Sequence, residues 1–141
     1  MARWAKWADI PNRYWGDLAS ANNHRAKGRG RATGAQIRQR ISLYEGICWV
    51  PGCGRVYQVI DHVIPLSKGG SGWPSNLRPS CWYHNRIKRN LSLREFVSRL
   101  PELEKKTPRE RYQDYHPSCI KKELYPADLL VFIMYVARRS Y

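Results

Sequence analysis

Two phrases decide the fold of this chain: DHVIPLSKGG at residues 61–70 and CWYHNRIK at residues 81–88. A third phrase, NLRP at residues 76–79, lies between them. Side chains that bind metal ions, transfer protons and contact phosphate are concentrated in this region, and cysteines stand at both of its ends. The combination indicates phosphodiester chemistry in a small region held together by a structural metal ion.

Four candidate metal ligands form two close pairs. Cys48 and Cys53 have four residues between them, Cys81 and His84 have two, and 27 residues separate the pairs. Paired soft ligands at this spacing are typical of a closed tetrahedral zinc site. The alternative is a set of ordinary thiols beside a surface histidine. Cys119 is a spare thiol that is expected to be buried and inert, or to replace His84 as the fourth ligand.

The positive charge of the chain is large and uneven. The net charge is +14 over 141 residues; residues 1–40 carry +7 and residues 62–94 carry +6. A basic protein of this kind usually meets a polyanion, so nucleic acid is the expected partner, although a solvated basic face is the simpler reading.

Nothing in the sequence predicts a membrane segment or a secretory leader. Residues 1–11 contain three charged side chains, and the longest apolar run, residues 129–137, is well short of the roughly 20 residues that a span needs. An intracellular location, cytoplasmic or phage-encoded, is therefore expected. In that compartment four cysteines more often indicate a metal site than disulfides.

The order of the motif residues resembles a known family. Asp61-His62, then Asn76, then Asn85 within a Cys-x-x-His-Asn-x-x-Lys run, is similar to the HNH endonucleases of the ββα-metal fold in a zinc-stapled form. The resemblance covers roughly residues 40–92 and implies an α+β fold. It departs from the usual pattern at His84, where a cysteine is common, and at Asn85, where a histidine is frequent.

The resemblance also implies a role for each motif residue. Asp61 and Asn85 would hold one catalytic Mg²⁺ or Mn²⁺, since carboxylate and amide oxygens suit hard cations. His62 would be the general base that activates water. Asn76 would fix the loop that carries His62 through backbone hydrogen bonds. Neighbours on a strand face opposite ways, so Asp61 and His62 can share a site only if the strand bends or ends there.

Five basic residues are candidates for binding nucleic acid. Arg86, Lys88 and Arg89 follow Asn85 on a predicted helix and are expected to contact phosphates beside the site. Arg29 and Arg31 belong to the phrase KGRGR, residues 27–31, which resembles a minor-groove AT-hook core without its usual proline. A solvated linker is the favoured interpretation of that phrase.

Three regions are predicted along the chain. Residues 1–35 form a basic aromatic arm and a Gly/Arg-rich linker, with residues 22–34 as the flexible part. Residues 36–92 form the small ββα-metal core with its structural zinc. Residues 93–141 form a C-terminal helical extension.

The predicted elements are a helix at residues 36–45 stopped by Gly46, a strand at residues 55–64 and a helix from Cys81. A capping box at residues 92–95 starts another helix, expected to end at Pro101. That helix is predicted to turn four side chains inward: Leu93, Phe96, Val97 and Leu100. A second capping box at residues 107–110 and an apolar helix at residues 126–139 complete the prediction.

Aromatic and basic side chains alternate in the arm, where Trp4, Trp7, Tyr14 and Trp15 are interleaved with Arg and Lys. Such a pattern can stack nucleic-acid bases. Packing on the core, or docking on a protein partner, is favoured because Trp4 and Trp7 are three residues apart. The C-terminal helix is expected to be core, with a homodimer seam as the alternative.

The sequence therefore predicts a metal-dependent endonuclease that hydrolyses DNA, with RNA a less expected substrate. The competing hypothesis is a zinc-stapled nucleic-acid-binding module with a silent site, or a subunit of a larger nucleic-acid-processing assembly. The motif residues specify the chemistry and leave open the target and the choice between nicking and double-strand cutting.

Overall fold

The computed structural model describes residue 10 and residues 12–109, and it has the α+β class that the sequence predicts. The helices are α1 (Asn12–Ala26), α2 (Gly34–Leu43), α3 (Trp82–Lys88) and α4 (Leu93–Lys106). The strands are β1 (Val59–His62) and β2 (Leu77–Ser80), and two short 3₁₀ turns, Leu66–Lys68 and Pro74–Asn76, lie in the loop between them.

A two-stranded sheet followed at once by a helix forms the centre of the domain. β1 and β2 are antiparallel, with Asp61 opposite Arg78 and His62 opposite Leu77. β2 runs directly into α3, which packs against β1. This is a ββα arrangement in which the end of β1 and one face of α3 are neighbours.

The regular part of β1 is shorter than the strand predicted at residues 55–64. Val56 forms only an isolated bridge with Ile47, so the chain before β1 contacts the sheet region without joining its ladder. Beyond His62 the chain leaves the sheet, because the backbone N–H groups of Val63 and Ile64 both bond to Asn76. β1 therefore ends at His62.

The first hydrophobic core joins α1 and α2 to the sheet. Trp15 of α1 is 2% exposed and packs with Ile37 and Ile41 of α2 and with Leu77 of β2. Packing of the aromatic segment on the core, as favoured from the sequence, is confirmed for Trp15. Residues 12–26 form one helix of this core, so the flexible linker predicted at residues 22–34 is wrong for residues 22–26, which belong to α1.

α2 begins earlier than predicted because of its cap. The Thr33 hydroxyl accepts the Gln36 N–H, and the Gln36 side chain accepts the Thr33 N–H, which makes a capping box. The helix ends at Leu43, and Gly46 follows with φ +65°, a conformation in which glycine is favoured.

A second core lies between α3, α4 and the Cys48–Cys53 turn. It contains Cys48, Val50, Cys81, Tyr83, Ile87 and Phe96. The predicted capping box at the start of α4 is present, with Ser92 and Glu95 bonded reciprocally. Leu93 and Leu100 are half-buried and Phe96 is fully buried, as expected, but Val97 is 55% exposed.

α4 does not end at Pro101 but continues to Lys106. A proline inside a helix removes one N–H donor, and the carbonyl that loses this donor belongs to Val97, on the exposed side of α4. Water can satisfy that carbonyl, which lowers the cost of the interior proline. Thr107, expected to open the next helix, instead caps the end of α4.

Several predictions lie outside the described residues: those for Trp4, Trp7 and Cys119, the helix after Thr107, and the helix at residues 126–139. None of the helices that the structure describes has the length and apolar character needed to cross a membrane.

Candidate functional site

The four residues of the predicted zinc site meet in space. Their ligand atoms all lie within 4.8 Å of one another. The Cys53 and Cys81 sulfurs are 3.8 Å apart, and His84 Nδ1 lies 3.3 Å from Cys81 Sγ and 3.7 Å from Cys48 Sγ. A zinc ion with Zn–S bonds of about 2.3 Å in a tetrahedron needs sulfurs roughly 3.8 Å apart. The cluster therefore has the donor types and the dimensions of a structural zinc site, with His84 as the fourth ligand.

The local fold explains why these atoms converge. Cys48 and Cys53 flank a tight turn closed by the Cys53 N–H donating to Val50 O. Cys81 is the N-cap of α3, and its sulfur accepts the N–H of His84 at 3.4 Å. The first turn of α3 thus carries two ligands and is itself stabilised by one of them.

Charged side chains surround the cluster. His84 Nε2 lies 2.9 Å from Glu104 Oε1, and the Arg109 guanidinium donates to Cys53 Sγ at 3.6 Å. A carboxylate on the outer nitrogen of a ligand histidine fixes its tautomer and leaves the inner nitrogen for the metal. Burial lowers the pKa of His84, but hydrogen bonds with Cys48, Cys53 and Glu104 outweigh burial and raise the pKa to about 10.

The three thiols also perturb one another. Hydrogen bonds from Cys48 and Cys81 lower the pKa of Cys53, and hydrogen bonds with Cys48 and Cys53 raise the pKa of Cys81. Packed sulfurs that share protons in this way release them when a cation binds. The cluster is therefore suited to a divalent soft metal.

Asp61 is a buried carboxylate at the end of β1, 4% exposed. Its Oδ1 accepts from Lys88 Nζ at 3.2 Å, and its Oδ2 has no hydrogen-bond partner among the described residues. Burial raises the pKa of Asp61, and the charges of Lys88 and Arg78 lower it in part. A buried oxygen without a hydrogen-bond partner is costly unless a water molecule or a cation occupies the space beside it.

His62 follows Asp61 and is the last residue of β1, so the strand ends at this pair. Its Nε2 lies 2.8 Å from Asn22 Oδ1. Burial, and the positive charges of Arg25 and Lys88, lower the pKa of His62 to about 4. The imidazole is therefore neutral at pH 7, which a general base requires.

Asn76 holds the loop that follows His62. Its amide nitrogen donates to Ile64 O at 3.0 Å and Ser71 O at 2.8 Å, and its Oδ1 accepts the Ile64 N–H at 2.8 Å. These are the backbone hydrogen bonds expected of this residue. Gly70 completes the loop, because a Cβ there would lie 1.9 Å from Ile64 O.

Asn85 lies on α3 three residues before Lys88, on the same side of the helix. Because Lys88 reaches Asp61, Asn85 is one turn away from that contact. Its half-buried side chain makes no hydrogen bond to another described residue. The Asp61 Oδ2 and the Asn85 amide oxygen are donors of the type that Mg²⁺ and Mn²⁺ prefer.

Residues 46–91 match the family model described as HNH endonuclease. This segment is an HNH domain. It contains the zinc cluster, the hairpin and α3, and excludes α1, α2 and α4. No significant match to the chain is found among curated proteins or solved structures.

One residue of the HNH domain differs from expectation. Lys88, predicted to contact phosphate, is 1% exposed, and its ammonium is bound by Asp61 Oδ1 and by His62 O at 3.0 Å. The structure therefore corrects its role: Lys88 ties α3 to the end of β1 and has no surface to offer a backbone phosphate.

The other predicted basic residues are exposed. Arg86 and Arg89 lie at the end of α3, and Arg86 is placed over the Trp82 ring at 5.8 Å. Arg29 donates to Leu66 O at 2.9 Å, in the loop after His62, and Arg31 is exposed beside it. The KGRGR phrase is thus held against the HNH domain by Arg29, although a solvated linker was favoured.

The sequence interpretation missed Asn22, Glu104 and Arg109. A signal for Asn22 was present: Trp15, Ala19, Asn22 and Ala26 follow helical spacing, and all four are buried, so the asparagine stands on the core face. For Glu104 and Arg109 no local pattern reveals that α4 returns to the metal cluster.

Proposed function

We propose that this protein is a metal-dependent HNH endonuclease that hydrolyses phosphodiester bonds in DNA. The observation that carries the proposal is the grouping at the end of β1: a neutral His62 next to a buried Asp61 with one free oxygen, followed by a loop that Asn76 fixes. A binding module needs only the zinc cluster and a basic face, and gains nothing from this grouping.

Each residue has a defined task in the proposed reaction. His62 takes the proton from the attacking water, since its depressed pKa keeps the imidazole neutral. Asp61 and Asn85 would hold the divalent ion, which supplies neutralisation of charge at the phosphate and at the leaving oxygen when bound. Asn76 keeps the His62 loop in one conformation, which maintains the alignment of the base.

Lys88 holds the two site residues of β1 in place through hydrogen bonds to both. Its ammonium neutralises Asp61 Oδ1 while leaving Oδ2 free. It also bonds to the His62 carbonyl, and thereby fixes the backbone of the base relative to the carboxylate. The zinc cluster anchors the start of α3, so the position of Asn85 depends on it.

DNA is the expected substrate because the chain is strongly positively charged and carries exposed arginines beside the site. The chain carries a net charge of +14. Arg86 directly follows Asn85, Arg89 lies about one turn beyond Asn85, and both arginines are exposed. Arginine is well suited to phosphate contacts of this type.

The test is nicking of supercoiled plasmid by the zinc-loaded full chain, with and without added Mg²⁺ or Mn²⁺. We expect nicking only with the added ion, and its loss in Asn85→Ala. Asn90→Ala is the matched control, since Asn90 is exposed just beyond α3 and has no proposed role. Plasmid that is bound but left intact under every metal condition supports the silent binding module instead.

A further inference from the structure

Asn22 lies outside the HNH domain and contacts the side chain of the proposed base. It lies on α1, 24 residues before the first residue of the family match, and it is 1% exposed. Its Oδ1 lies 2.8 Å from His62 Nε2. A polar side chain so completely buried needs every hydrogen bond it can form.

The hydrogen-bond directions around Asn22 can be fixed from the backbone. The Ala32 N–H donates to Asn23 Oδ1 at 2.9 Å, and Asn23 Nδ2 donates to Ala32 O at 3.0 Å. A backbone N–H can only donate and a backbone carbonyl can only accept. Ala32 therefore sets the orientation of the Asn23 amide, with Oδ1 facing the Ala32 N–H and Nδ2 facing the Ala32 carbonyl.

The orientation of the Asn22 amide follows from that of Asn23. Asn22 Nδ2 lies 3.1 Å from Asn23 Oδ1 and 3.0 Å from Gly72 O, two acceptors, so both amide protons are used. Asn22 Oδ1 is then the atom that faces His62, and it can only accept. His62 Nε2 must consequently carry the proton, which leaves the lone pair of the neutral ring on Nδ1.

The close approach of α1 to the loop between His62 and Asn76 depends on a glycine at position 72. Gly72 packs so closely that a Cβ there would lie 2.8 Å from Ala26 Cβ and 3.1 Å from Asn22 Nδ2. The absence of a side chain at Gly72 lets α1 approach the loop between His62 and Asn76. The Gly72 N–H also donates to Arg29 O at 2.8 Å, so the turn after α1 is tied to the same loop.

We propose that Asn22 is a positioning residue that holds the His62 imidazole in the Nε2–H tautomer, so that Nδ1 is the nitrogen that accepts the proton from water. This rests on the proposed function of His62 as the base. It means that the segment 46–91 lacks one component of the site, and that α1 supplies it.

The direct test is a long-range ¹H–¹⁵N correlation spectrum of the zinc-loaded full chain, in magnesium-free buffer at pH 8.5, with His62 signals assigned by their loss in His62→Gln. We expect the Nε2–H pattern for His62. An Nδ1–H pattern in the unmodified protein overturns the proposal. Since no DNA is present, the result stands apart from activity: absence of cleavage with the Nε2–H pattern rejects the proposed function and retains the tautomer assignment.

Two variants separate the acceptor from packing. Asn22→Leu has nearly the same shape and no acceptor, whereas Asn22→Asp keeps an oxygen toward His62; both lose the donor to Gly72. In Asn22→Leu we expect a mixture of tautomers and a kcat for nicking lowered about 10- to 100-fold, with KM changed less than about twofold. In Asn22→Asp we expect the Nε2–H form and a kcat at least about fivefold above that of Asn22→Leu.

The control is Asn12→Leu, the same substitution at an exposed position about 15 Å along the same helix. It should leave both the tautomer and kcat unchanged. Equal losses of kcat in Asn22→Leu and Asn22→Asp, or an unchanged tautomer in Asn22→Leu, contradict the proposal. Should Asn22→Leu fail to fold, the spectra of the unmodified chain and of Asn22→Asp still decide it.

Discussion

Two opposite charges, Lys88 and Asp61, are buried together at the centre of the HNH domain, with side chains 2% and 6% exposed. Removing two charges from water is costly, and their attraction with added hydrogen bonds offsets that cost. Lys88 gains a second acceptor in His62 O, whereas Asp61 Oδ2 gains none among the described residues. The pair thus satisfies one of the two carboxylate oxygens of Asp61.

Breaking this pair should be far more destabilising than breaking a surface pair. In Lys88→Met, Asp61 becomes a buried charge without a counterion, and we expect unfolding in denaturant to show a loss of about 3–5 kcal/mol. Lys68→Met is the control, because the Lys68–Glu95 pair is roughly half exposed and should cost less than about 1 kcal/mol. Equal losses in the two variants would show that the Lys88 ammonium is not buried.

The pKa of His62 predicts the acid side of the activity profile. An ordinary histidine with a pKa near 6.5 is protonated as the pH falls below 6.5, and its activity as a base falls about tenfold per pH unit. With a pKa of about 4, His62 stays neutral over that range. We therefore expect kcat/KM for nicking to change less than about twofold between pH 7.5 and pH 5.5. A fall of about tenfold over this interval contradicts the buried, neutral base.

The same shift has a consequence for stability with a definite sign. Since the folded pKa of His62 is depressed, the unfolded state takes up a proton first as the pH falls. The contribution of His62 to stability is complete above pH 6.5 and is lost as the pH falls from 6.5 through about 4.

At the scale of elements, the metal cluster lies beside the second hydrophobic core, where three pieces of chain meet. The four ligands come from the Cys48–Cys53 turn and the start of α3, and Glu104 reaches His84 from the last turn of α4. The elements around it are short: α3 has seven residues and each strand has four. Metal binding is therefore expected to supply a large part of the folding free energy of this region.

The carboxylate behind His84 should tune metal affinity. In Glu104→Gln the negative charge on the outer nitrogen is lost, and we expect zinc affinity to fall about 10- to 100-fold in competition with a chromogenic chelator. Glu102→Gln is the matched control on the same helix, because Glu102 pairs with Lys106 at the surface. Equal affinities in the two variants would contradict a role for Glu104 in the metal site.

Local sequence signals predicted the elements whose causes are local. Spacing along the chain was enough to predict three features: the two pairs of zinc ligands, the Ser92–Glu95 capping box, and the buried side of α2 with Ile37 and Ile41. Spacing was not enough to predict the helix through Pro101, since its tolerance depends on which side of α4 faces solvent. Lys88 was assigned to the surface because lysine is seldom buried, and only the approach of α3 to β1 provides its partner.

At the scale of the whole molecule, α1 and α2 pack against the hairpin of the HNH domain. Leu77 of β2 lies in one core with Trp15 and Ile41, so the hairpin is supported from below by helices outside the family match. Asn22 reaches His62 from α1. Helices α1 and α2 therefore share one core with the HNH domain, in place of the separate arm that the composition suggested.

The basic surface should make DNA binding depend on salt in a way that maps the contacts. Each phosphate contact adds about 0.9 to the steepness of log K against log salt for duplex DNA. We expect Arg86→Gln to reduce that slope by about 0.9 in fluorescence anisotropy without divalent ions. Arg99→Gln, which removes an exposed charge on α4, should leave the slope unchanged. An unchanged slope in Arg86→Gln would remove the end of α3 from the DNA interface.

Plasmid nicking by His62→Ala tests most directly whether His62 is the base of the proposed metal-dependent nuclease site. With zinc-loaded protein and added Mg²⁺ or Mn²⁺, we predict an initial rate at least about 100-fold below that of the unmodified chain. His24→Ala, which changes an exposed histidine on α1, should retain the full rate. If His62→Ala nicks DNA as fast as the unmodified protein, His62 is not the base and the account is wrong.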